Sequence, residues 1–197
     1  MPDASGTACR PNLGGAFRND LPLHTMNGAN SWVLRAVDHL YPAFETQLTP
    51  EAIDDAIARN VSMLQRSADL QLHGGAGEDL VVRVINRTGH KLPTGYGEGR
   101  RMWLTVRFLD EEGEVLAEHG AYDLDAAELD EGSTRVWEVV HGLDQAVSEE
   151  TGVPAVPSFH FVLNNTTLLD NRIPPRGFDD LDFDVRQAGP VRLAYPE

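Results

Sequence analysis

The chain holds one cysteine, Cys9, in 197 residues. An internal disulfide is therefore impossible, and so is a zinc site built on four thiolates. Basic charge is scarce as well: 16 Lys and Arg stand against 31 Asp and Glu, a formal charge of −15. Nothing basic is extensive enough to neutralise a run of phosphates, which argues against nucleic acid as a partner. The same balance favours solubility and draws cationic partners at low salt. No window approaches the length of apolar sequence that a membrane span needs. The opening Met1-Pro2-Asp3-Ala4-Ser5-Gly6 has neither the basic nor the apolar region of a signal peptide. It reads either as cytoplasmic or as a segment whose export signal lies upstream. A Gly-x-Ser-x-Gly elbow is missing, Cys9 has no nearby base, and Gly95-x-Gly97-x-Gly99 matches neither nucleotide-binding spacing.

What is present is ordinary for a globular protein: 41% hydrophobic and 24% charged residues. The length suits one substantial domain, or a helical segment attached to a domain of about 120 residues. Residues 1 to 22 are rich in Gly, Pro, Asn and Asp and read as an irregular arm. A short helix is expected from Asn30 or Ser31 to Leu40, stopping before Pro42. A second is expected from Thr49, with Pro50 at its first position and acidic residues in its first turn. Its stripe of Ile53, Ile57, Val61, Leu64 and Ala68 carries it to about Leu70.

Beyond Gly77 the period changes to two. Strands are expected over 80–85, 102–109, 114–119, 134–140, 158–163 and 191–195, with a hairpin turn at Asp110–Gly113. The predicted class is α+β: an arm and two helices over 1–76, then an antiparallel, immunoglobulin-like β-sandwich over 77–197. A sandwich closing on a piece as short as 191–195 leaves an edge exposed, so the chain reads as cut at its C-terminus. Asp179, Asp180, Asp182 and Asp184 read as a solvated loop in preference to a calcium site.

The stretch from Asn86 to Trp103 organises the rest. It carries four glycines, a proline, a histidine, a lysine and three arginines in eighteen residues between two strands, the make-up of a shaped loop. Seven histidines remain as candidates for chemistry. His119 and His160 fall in expected strands and read as structural; His39 and His73 fall at expected helix ends. His24 and His90 lie in Gly- and Asn-rich loops, free to reach a metal or cofactor.

The run Asn86-Arg87-Thr88-Gly89-His90-Lys91-Leu92-Pro93-Thr94-Gly95-Tyr96, with Gly99-Arg100-Arg101-Met102-Trp103-Leu104, closely resembles the C-terminal part of bacterial multihaem c-type cytochromes. Further matches come in the same order: Leu23-His24 with Gly28-Ala29-Asn30 and Trp32-Val33-Leu34; Gly120-Ala121-Tyr122-Asp123; Ser158-Phe159-His160-Phe161-Val162-Leu163-Asn164-Asn165; and Asp170-Asn171-Arg172-Ile173-Pro174-Pro175-Arg176-Gly177-Phe178.

The family attaches haem c at Cys-x-x-Cys-His, a motif this sequence lacks. The resemblance thus implies a non-catalytic module for electron transfer, covering haems borne by an adjoining segment or a cytochrome subunit, in the periplasm or outside the cell. Met1-Pro2-Asp3 resembles the residues just after the histidine of a haem motif, so the chain is expected to begin right behind the last attachment site. The alternative start is an ordinary initiator. By resemblance His24 is the distal ligand to a haem attached elsewhere. His90 is either a second such ligand or a support of its loop. Arg100, Arg101, Arg172 and Arg176 suit haem propionates, or salt bridges at strand ends. The competing reading is a stand-alone sandwich without haem, gripping a partner or a metal through the His90 loop.

Overall fold

A computed structural model of the chain describes residues 3–7, 9, 11–22, 27–74, 77, 79–132, 134–158 and 160–192. The chain divides into two compact units, Met1–Ser67 and Ala68–Glu197.

The first unit opens on a hairpin, β1 (Asp3–Thr7) with β2 (Phe17–Pro22), where an irregular arm was expected. Helix α1 (Val33–Leu40) follows, then the single turn α2 (Ala43–Thr46) and helix α3 (Pro50–Gln65). Thr49 caps α3 as expected: its hydroxyl accepts the Ala52 N–H at 3.2 Å, satisfying one of the orphan donors at the helix start. The apolar stripe buries only Ile53, at 2% exposure, while Val61 and Leu64 stay 39% exposed. Buried beside Ile53 is Asn60, whose amide donates to Asn30 O at 3.4 Å. Asn27 donates to Arg59 O at 3.3 Å, so the Asn27–Asn30 loop is pinned to the middle of α3.

Helix α3 ends at Gln65, short of the expected Leu70. The Ser67 hydroxyl donates to Leu64 O and Arg66 Nε to Ser62 O, which takes up the last carbonyls. Ala68–His73 then forms β3, paired residue for residue with β4 (Val81–Asn86). Leu70 and Leu72 sit opposite Val84 and Val82, so the alternation of 68–73 wins over the helical stripe. His73 consequently ends a strand instead of a helix. The division between the units falls at Ser67/Ala68, ahead of the boundary at 76/77 read from the sequence.

The second unit is a set of small antiparallel sheets. The largest has three strands: β5 (Arg101–Trp103) and β11 (Thr166–Asp170) flank β10 (Val136–Gly142). Strands β6 (Val106–Leu109) and β7 (Val115–His119) form the expected hairpin, its turn held by the Asp110 carboxylate, which accepts from Glu112 N and Glu114 N. A further ribbon joins β8 (Tyr122–Asp123) to β9 (Glu128–Leu129). The expected strand 102–109 is thus two strands in different sheets. Gly120 packs against the break: a Cβ there would lie 2.1 Å from Leu104 O, and Thr105 Oγ1 donates to Gly120 O at 2.9 Å.

Two more expectations fail. Where a strand was expected over 158–163, Phe161–Leu163 is a turn, held by the Leu163 and Asn164 N–H groups on His160 O, and the Asn164 amide donates to Ser158 O; Phe159 lies outside the described residues. The aspartate run forms α5 (Asp180–Val185), capped by the Asp179 carboxylate at Asp182 N, instead of a loop. Of the expected last strand, Val191 bridges Asp170 and 193–195 lie outside the described residues. The short helix α4 (Gln145–Thr151) completes the unit. The architecture is mixed α+β, with small antiparallel sheets and a few helices.

Removing the α3 cap by Thr49→Ala should lower stability by about 1 kcal/mol, and Thr49→Asp should restore it. Urea unfolding followed by far-ultraviolet circular dichroism measures both.

Candidate functional site

The loop after β4 is built from its first residue. Asn86, 5% exposed, accepts the Thr88 N–H at 2.8 Å and donates to His90 O at 2.7 Å and Ile173 O at 3.1 Å. The Thr88 hydroxyl sits 2.9 Å from Asn86 Oδ1 and 2.8 Å from His90 O, and it accepts the His90 N–H at 3.2 Å. Leu92 then exchanges both backbone hydrogen bonds with Ile173, at 2.9 and 2.7 Å. The Leu92–Pro93 peptide is cis. Leu92 is 3% exposed and belongs to the core with Val139 and Leu143.

Between His90 and Leu92 the chain buries a charge. Lys91 Nζ donates to Asp170 Oδ2 at 2.8 Å and to Gly189 O at 3.3 Å. Arg172 grips the same carboxylate as a fork, Nε to Oδ1 and Nη2 to Oδ2, both at 2.9 Å. The Lys91 and Asp170 side chains are each 7% exposed, Arg172 20%. Burial pushes the Asp170 carboxyl up, but the hydrogen bonds and charges of Arg172 and Lys91 outweigh it and hold the group below the usual aspartate range. Asn171 threads the edge of β10: its amide donates to Val136 O at 2.8 Å and accepts Glu138 N at 2.7 Å. Burial in turn raises the Glu138 carboxyl, opposed by Arg101 and reinforced by Glu131.

The second half of the loop makes a different surface. Gly95 has φ +86°, and a Cβ there would lie 2.3 Å from Arg100 Nη1, so only glycine lets that guanidinium fold back onto Thr94 O at 2.5 Å. Beyond it Tyr96, Gly97 and Glu98 open a cleft of about 290 Å³ with His141, Phe161 and Asn164. A Cβ at Gly97 would lie 2.3 Å from Val139 Cγ1, so this wall is backbone against β10.

All the candidate residues of the sequence except His24 fall among the described residues. His90 is exposed, with its main chain anchored and no hydrogen bond to its ring among the described residues. His24 lies outside the described residues. Arg100 folds onto its own loop, Arg101 pairs with Glu131, and Arg172 is bound to Asp170. Arg176 is exposed and has no ion pair among the described residues. His119 and His160 are exposed, with His119 edge-on to Phe108. Lys91, Asp170, Asn171, Glu98 and His141 are site residues that sequence reasoning missed. Lys91 stands in the 86–103 loop and Asp170 and Asn171 open the 170–178 segment, but nothing local in the sequence marks Lys91 as buried.

Segments of the second unit that are distant in sequence touch one another in pairs. Lys91–Leu92 meets Asp170–Ile173, Tyr96 meets Phe161 edge-to-face at 5.6 Å, and Trp103 meets Tyr122 at 5.4 Å. No group of three or more His, Cys, Asp or Glu side chains forms a metal cage among the described residues, and no helix there is long and apolar enough to cross a membrane. No protein-family model, curated protein or solved structure matches the chain.

Because Asp170 titrates lower when folded, its contribution is complete above the ordinary aspartate value of about 3.9 and is lost as pH falls through the folded value. Asp170→Asn, which leaves two cations buried without their anion, should cost about 3–5 kcal/mol at neutral pH. The stability gap to wild type should close on acidification below about pH 4 as the wild-type carboxyl protonates. A gap that stays constant in urea titrations across that range would contradict the arrangement.

Proposed function

We propose that the chain is a non-catalytic, haem-adjacent module of an exported multihaem c-type cytochrome, seated on a haem-bearing segment or subunit. The observation that carries this reading is how little apolar side chain the described residues of the first unit bury. Among its described residues Ile53 is the sole buried apolar side chain, while Trp32 is 66%, Leu40 70%, Tyr41 53% and Phe44 81% exposed. Burying such side chains is worth roughly 1.5–3 kcal/mol each, which a covering partner would supply. The meeting of the cytochrome-like segments within the second unit supports the resemblance on which the haem assignment rests.

In this reading the small antiparallel sheets belong to an immunoglobulin-like sandwich, and the location is periplasmic or extracellular. The residues fit haem in part. His90 offers an exposed imidazole on an anchored loop, and Arg176 an exposed guanidinium for a propionate. Arg101 lies within reach of such a role only by exchanging Glu131, while Arg100 and Arg172 are engaged internally. His24 is the favoured distal ligand by resemblance. A haem held by imidazole on both faces is a low-spin centre suited to electron transfer. The chain's own part is to orient the imidazole and keep water from the haem edge.

A haem peptide carrying its own proximal histidine and one open axial position provides the test. Adding the purified chain should convert it to a bis-imidazole, low-spin absorption spectrum, and His24→Ala should abolish the change. His90→Ala tests the second candidate in the same titration. An unchanged spectrum, or equal conversion by the double variant, would contradict ligand donation.

A further inference from the structure

The cleft beside the buried ion network has a chemistry of its own. Its walls carry one carboxylate, Glu98, one amide, Asn164, one imidazole, His141, and the edge-to-face pair of Tyr96 and Phe161, with ring planes at 83°. The Asn164 amide is fixed in orientation: Nδ2 donates to Ser158 O at 2.7 Å and faces Glu98 Oε1 at 3.4 Å. Its Oδ1 is shielded from solvent and has no donor among the described residues, an unfavourable state for a buried carbonyl. Glu98 receives only that one long hydrogen bond among the described residues. His141 Nδ1 lies 3.3 Å from the Thr167 hydroxyl, which sets the ring against β11.

We infer that this cleft binds a small organic cation, a protonated amine or guanidinium group, between the Glu98 carboxylate and the Tyr96–Phe161 pair. Two features favour a cation over an anion or a neutral apolar group: Glu98 supplies the countercharge, and an aromatic face attracts positive charge. The volume of about 290 Å³ lies at the small end for ligand sites, which matches a single headgroup with a short alkyl chain. The chain's formal charge of −15 raises the local concentration of any cation. Asn164 acts as a positioning residue, holding the carboxylate across the opening.

The probe is n-butylammonium chloride, titrated into the isotope-labelled full chain at constant ionic strength, with 1-butanol as the neutral isostere. Saturable amide shifts are expected at Tyr96, Gly97, His141 and Phe161 and at the Asn164 side chain, with butanol producing none. Glu98→Gln keeps the side-chain shape and should weaken binding about tenfold, the loss expected for one charged hydrogen bond. Phe161→Leu should weaken it further without changing the Glu98 dependence. Equal affinity for butanol, wild-type affinity in Glu98→Gln, or no saturable shift at the cleft would each overturn the inference.

Discussion

One carboxylate holds the second unit together. Asp170 sits at the end of β11, bridged through its backbone to Val191, and receives Lys91 from the loop after β4 and Arg172 from the segment beyond β11. Two cations and one anion are taken out of water here, and such a cluster is stable only when its remaining donors and acceptors are filled. Backbone meets part of that demand: Lys91 also reaches Gly189 O and the Arg172 N–H donates to Asp170 Oδ1 at 3.3 Å, while Asn86 and Asn171 tie the neighbouring carbonyls of His90, Ile173 and Val136. The network thus joins four segments far apart in sequence. It does so by direction and charge more than by apolar area, because the apolar core of this unit is small.

Much of the local structure was legible in the sequence. Thr49-Pro50 announced α3, Asp110–Gly113 announced its hairpin, and β4 and β10 followed from their period of two. The failures share a cause. Residues 68–73 carry both a helical stripe and an alternation, and only pairing with β4 decides between them. Leu104–Thr105 reads as strand until Gly120 packs against it. Ser158–Leu163 alternates like a strand, yet Phe161–Leu163 turns and the Asn164 amide reaches back to Ser158 O. In each case a partner distant in sequence overrules a local pattern.

The site was legible in position and less so in role. The 86–103 loop drew attention through its glycines, and two of these have a definite reason in Arg100 and Val139. His90 drew attention as a ligand, whereas the fold uses its backbone to set the loop and leaves the residue exposed. Lys91, one position on, is the residue that the interior recruits. A buried lysine cannot be recognised from one sequence unless its carboxylate is known, and Asp170 lies 79 residues away. The first unit has the opposite character: among its described residues, aromatic side chains that a folded interior would cover remain exposed.

The Lys91–Asp170–Arg172 cluster makes the loop and the 170–173 segment one cooperative unit. Native-state hydrogen exchange measures this directly at the amides of Thr88, Leu92, Asn171, Ile173 and Val191. These amides are expected to share one opening free energy and to lose protection together in Lys91→Met. Independent exchange of Leu92 and Ile173, or protection unchanged by Lys91→Met, would contradict that cooperativity.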